Sequence, residues 1–128
     1  MNSAVFSNNA PAAIGPYSQG FITAGGLLFC SGQIALDPVS GALVGSTIEA
    51  QAEQVMKNVG ALLEAAGLGF DNVVKTTCFL ADMGDFAAFN AVYEKYFVSC
   101  PARSCVAVKA LPKGVLCEIE AIAGLEEK

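Results

Sequence analysis

The hydrophobic period switches repeatedly along this chain, and stretches with the period of a strand outnumber those with the period of a helix. Residues 21–24 and 27–31 flank a Gly25-Gly26 turn and read as a β-hairpin. Residues 73–80, 104–109 and 115–123 also alternate or are rich in β-formers, the last two joined through Leu111-Pro112-Lys113-Gly114. Helical spacing occurs twice. Ile48, Ala52, Val55, Val59, Leu62 and Leu63 follow Ser46-Thr47-Ile48-Glu49, which has the S-x-x-E capping-box form, and Gly67 or Gly69 ends that helix. Phe86, Phe89, Tyr93 and Phe97 lie on a second helical stripe, read as core, which Pro101 stops. With a short strand ahead of residues 8–20, the order is β-β-β-α-β-α-β-β. That predicts an α+β fold with two helices on one face of a mixed sheet. No helix remains for the other face.

Composition bears on that bare face. Hydrophobic residues make up 54% of the chain and charged residues 15%, against roughly 25% charged in an ordinary soluble domain. Packing against further copies of the chain is the simplest way to cover the apolar surplus. Length and the absence of any linker or repeat predict one domain, 1–128. The net charge of −5 and the scattered basic residues make nucleic acid an unlikely partner. No apolar stretch approaches the ~20 residues of a membrane span, and residues 1–5 do not resemble a signal or transit peptide. The five cysteines (30, 78, 100, 105 and 117) are odd in number, show no CxxC spacing and are read as reduced thiols in a cytoplasmic protein, Cys78 and Cys117 being small core residues. The absence of histidine argues against a zinc site and removes the commonest general base.

Chemistry must therefore come from a few polar residues. Arg103, the only arginine, opens a strand. Alternation predicts Arg103, Cys105 and Ala107 on one face and Ser104, Val106 and Val108 on the other. If the valines lie under the helices, Arg103 points to the uncovered side. There its guanidinium needs an anion: either the carboxylate of a small substrate, matched bidentately, or an acidic side chain across an interface. By the same alternation Cys117, Ile119 and Ala121 face the core, so Glu118 and Glu120 share the face expected for Arg103. One would pair with a cation and the other handle a water, or both are solvated or salt-bridged. Tyr17, in the Pro/Gly-punctuated loop 8–20, either hydrogen-bonds a ligand or caps the core. Ser31-Gly32-Gln33 ends a strand, where a bare glycine lets backbone amides approach a ligand. Asn90 interrupts the aromatic stripe, which makes it a candidate to reach a polar site. No phosphate-loop pattern occurs.

These segments together resemble the RidA (YjgF/UK114) family. The resemblance rests on Ala10-Pro11-Ala12-Ala13-Ile14-Gly15-Pro16-Tyr17-Ser18-Gln19-Gly20, Ser31-Gly32-Gln33, Val74-Lys75-Thr76-Thr77, Asp85-Phe86 with Asn90 and Tyr93, Pro101-Ala102-Arg103-Ser104, Leu111-Pro112-Lys113 and Glu118-Ile119-Glu120-Ala121. It covers nearly the whole chain, and the motifs are specific in combination. It implies a chorismate-mutase-like fold with about six strands, assembled as a barrel-like homotrimer with clefts between subunits. It also implies hydrolysis of 2-imino acids, such as 2-iminobutanoate and 2-iminopropanoate, to 2-oxo acids and ammonia, without a cofactor.

By similarity Arg103 binds the substrate carboxylate and Glu118 positions and deprotonates the attacking water. Tyr17, Ser31 and Gly32 shape the pocket, with Asn90 nearby. Cys105 lines it, but some members carry alanine there, so its thiol is dispensable. One departure is Cys100, where many members have an aromatic residue. Two rivals to the deaminase reading are a non-catalytic small-molecule-binding or chaperone-like trimer and, ranked last for an acidic chain without histidine, RNA cleavage.

Overall fold

The computed structural model describes residues 2–125. Six strands form one mixed sheet: β1 (Ser3–Val5), β2 (Gly20–Ile22), β3 (Leu27–Gln33), β4 (Val73–Leu80), β5 (Ala102–Ala107) and β6 (Cys117–Gly124). Their spatial order is β1-β2-β3-β6-β4-β5. Every neighbouring pair is antiparallel except β4 and β5. That parallel pair needs a crossover, which α2 (Phe86–Tyr96) supplies, while α1 (Ile48–Ala65) connects β3 to β4. The six-stranded, two-helix α+β architecture expected from the sequence is the one observed.

Local chemistry sets the element ends. Thr47 caps α1, its Oγ1 accepting from the Ala50 amide at 3.2 Å, so the cap lies one residue beyond Ser46. Glu49 then sits in the first turn, where the helix dipole favours an acid. At the other end Leu68 N–H bonds Leu63 O and Gly67 N–H bonds Glu64 O. That Schellman pattern needs the positive φ of 75° that Gly67 adopts. The first hairpin strand stops at Ile22 rather than 24, because Thr23 and Gly26 close the turn. β5 begins at Ala102, earlier than expected, and β6 begins at Cys117, later than expected. Between α2 and β5, Cys100 is exposed and turns the chain with φ of 55°.

Both helices pack on one side of the sheet. Val55, Met56, Val59, Leu62 and Leu63 of α1, with Phe89 and Phe97, lie fully buried against Leu28, Cys78, Leu80, Cys117 and Ile119. Each such side chain is worth roughly 1.5–3 kcal/mol relative to exposure. Cross-strand rows show the consequence for polarity. The row Val5, Gly20, Cys30, Ala121, Thr76 is buried, and Arg103 ends it. The next row exposes Ala4, Phe21 and Phe29, with Ile122 and Lys75 half-buried, on the side that carries no helix. Val106 belongs to that open side and is 46% exposed. The expectation that the β5 valines lie under the helices is therefore reversed. Among the described residues no helix is long and apolar enough to cross a membrane.

Candidate active site

Arg103 leaves β5 on the helix side. There α2 presents Phe86, Asn90 and Tyr93 at i, i+4 and i+7, one face of a helix. Asn90 Oδ1 accepts a 2.8 Å hydrogen bond from Arg103 Nη1. Arg103 Cζ stands 4.7 Å from the centre of the Tyr93 ring and 5.6 Å from that of Phe86. Tyr93 is itself held by a 2.7 Å hydrogen bond between its hydroxyl and Thr76 Oγ1, and Thr76 is the cross-strand partner of Arg103. Cys105 follows on the same side, half-buried and paired in register with Cys78. Burial pushes its thiol pKa up, and the Arg103 charge pulls it only partly back. A thiol so placed is a weak nucleophile.

Among the described residues the ion pair found is Lys95 with Glu53, between the two helices, and no carboxylate salt-bridges Arg103. Two cation–π contacts at about 0.5–2 kcal/mol each and one charge-assisted hydrogen bond at about 1.5–3 kcal/mol hold the half-buried guanidinium in place.

The other half of the predicted set lies on the open side. The β3–β6 register shifts between Cys30 and Gln33, so Ser31 and Gly32 form a bulge, a device that re-aims groups at strand ends. A Cβ on Gly32 would stand 2.2 Å from Glu118 Oε2. Only glycine lets the Glu118 carboxylate lie against the strand. Burial first, and the nearby Glu120 second, raise the Glu118 pKa. Tyr17, Gly32 and Glu118 line one cavity of about 50 Å³, with Pro11, Leu36 and Pro112 as its apolar wall. The Tyr17 hydroxyl oxygen accepts from the Ile14 amide at 3.2 Å, which leaves its own hydrogen to donate. Ser31 ties the loop to the sheet: its Oγ donates to Ser18 O at 2.6 Å and its amide to Gln19 O at 2.9 Å. Ser31 also borders a neighbouring depression of about 690 Å³ with Lys75, Thr77 and Glu120.

The predicted residues thus divide into two groups. Tyr17, Ser31, Gly32 and Glu118 come together on the open side, and Asn90, Arg103 and Cys105 on the helix side. The sequence reading that put Arg103 and Glu118 on one face is corrected: in one chain they leave opposite faces of the sheet. The error arose at β5, an edge strand with apolar residues on both faces, where arginine lies comfortably over aromatic rings. Sequence reasoning missed Phe86 and Tyr93 as partners of Arg103, although their helical spacing around Asn90 was visible. It also missed Gln19, whose buried amide organises the Tyr17 loop.

The sequence profile of the endoribonuclease L-PSP family matches residues 7–125. The chain belongs to this family, the YjgF/RidA family. Among RidA relatives, a RutC family protein of Synechocystis is 56% identical over 119 residues, 91% of this chain and 91% of its own. The 2-iminobutanoate/2-iminopropanoate deaminase of Salmonella typhimurium is 51% identical over 127 residues, 96% of this chain and 98% of its own. A solved structure of the Rid protein family, YyfA from Yersinia pestis, superposes with a TM-score of 0.93 at 47% identity, covering 98% of this chain and 100% of that one.

Proposed function

We propose that this RidA-family protein hydrolyses small 2-imino acids, such as 2-iminobutanoate and 2-iminopropanoate, to 2-oxo acids and ammonia in the cytoplasm. The observation that carries the reading is Arg103: the sole arginine, half-buried, held by an amide and two rings, and without an acidic partner among the described residues. Its fork takes the substrate carboxylate. The protonated imine is already electrophilic at C2, so placement supplies much of the rate. Glu118 orients a water and accepts a proton as the water oxygen bonds C2. Glu118 returns that proton to the carbinolamine nitrogen, the C2–N bond breaks to release ammonia, and the hydroxyl proton passes to the Glu118 carboxylate as the C2=O bond of the 2-oxo acid forms. Tyr17 and the Ser31-Gly32 bulge shape the pocket, and Cys105 lines it. No metal or cofactor is called for.

Because Arg103 and Glu118 leave opposite faces of the sheet, one chain does not hold a complete site. A homotrimer in which the helix-side edge of one copy meets the open side of the next would assemble three. In a mixture of threonine and a threonine dehydratase, added protein is expected to speed 2-oxobutanoate release, and Arg103→Ala to abolish that effect while keeping the fold. An undiminished rate with Arg103→Ala removes the anchor. A second reading, a non-catalytic binding or chaperone-like trimer, is favoured by the exposed Phe21, Phe29 and Val106 of the open side. It requires suppression of client aggregation that survives both Arg103→Ala and Glu118→Gln.

A further inference from the structure

A carboxylate is the strongest partner a guanidinium can take, binding its fork bidentately. Here the groups that hold the guanidinium are neutral: the Asn90 amide and the rings of Tyr93 and Phe86. The brace behind them is neutral too, since Tyr93 bonds Thr76, and Thr76 is registered to Arg103 across β4 and β5. An aspartate at position 90 would have nearly the same shape and would reach Nη1 from the same turn of α2. It would form a shorter, stronger, charge-assisted bond. Stability alone favours the acid, yet the position holds its amide.

We infer that Asn90 is a positioning residue whose neutrality is its function: it fixes the direction of the Arg103 fork while leaving the positive charge unspent for an incoming carboxylate. This rests on the reading of Arg103 as the substrate anchor. Asn90 acts through Arg103, and Tyr93, locked by Thr76, is the second point of the same clamp. A carboxylate at position 90 would occupy the guanidinium from within and turn away the substrate acid.

The test is calorimetric binding of 2-oxobutanoate to the whole protein at neutral pH, with thermal unfolding measured in parallel. The expected order of affinity is wild type, then Asn90→Ala, weakened several-fold, then Asn90→Asp, weakened more than tenfold. Asn90→Asp is expected to unfold at a temperature equal to or above that of the wild type. Asn90→Asp binding as tightly as the wild type, or more tightly than Asn90→Ala, overturns the inference and leaves Asn90 as an ordinary acceptor. So does Asn90→Ala binding like the wild type, a result that stands whether or not Asn90→Asp folds. Wild-type protein that binds no 2-oxobutanoate removes the anchor reading, and this inference with it.

Discussion

Glu118 owes its position to an atom its neighbour lacks. The hydrogen at Gly32 Cα leaves room for a carboxylate, and the surrounding wall strips part of its hydration. Burial, reinforced by Glu120, places its folded-state pKa above the ordinary 4.5. The native state therefore binds this proton more tightly than the unfolded chain does. The sign follows: Glu118 favours the fold below the ordinary carboxylate range and opposes it increasingly as pH rises through the elevated pKa. Glu118→Gln is expected to raise the unfolding temperature at neutral pH while eliminating imine hydrolysis. The wild-type rate is expected to fall on the acid side as Glu118 is protonated, since the base must be ionised. A rate profile with no acid limb, or a Glu118→Gln protein that keeps the wild-type rate, contradicts the assignment.

At the scale of elements, the loop before β2 is tied together by a side chain that composition does not reveal. Gln19 is buried and uses both ends of its amide: Oε1 accepts from Ser7 N at 2.7 Å, and Nε2 donates to the carbonyls of Ser7, Ala10 and Pro11. Gln19→Ala leaves several buried backbone groups unpaired and is expected to cost roughly 3 kcal/mol in urea unfolding. It should also raise KM, as Tyr17 loses its fixed seat. Most of the framework could be read from periodicity, because α1 and β4 each bury one clean face. The Thr47 cap was misplaced by one residue since Ser46 and Thr47 are both competent acceptors. The polarity of β5 was inverted since neither of its faces is deeply buried, and alternation is informative only where one side excludes water. The candidate site residues could be nominated as a set from the combined motifs. Their division between two faces was not, because it depends on which side of β5 the single helix α2 crosses.

For the molecule as a whole, the proposed trimer makes a prediction that neither half-site makes alone. Arg103→Ala and Glu118→Gln proteins, each inactive, should recover activity when unfolded together and refolded. In equal mixture about a quarter of the junctions would combine an intact arginine with an intact glutamate. Recovery is read from 2-oxobutanoate release after refolding, and persistent inactivity at full trimer yield rules out a site shared between copies. The thickness of one β-sheet, standing between the cation and the base, then has a consequence for dosage. A newly made polypeptide would be chemically silent until it met its siblings, so a cell that halved its supply near the assembly threshold would lose more than half of its protection against reactive imines.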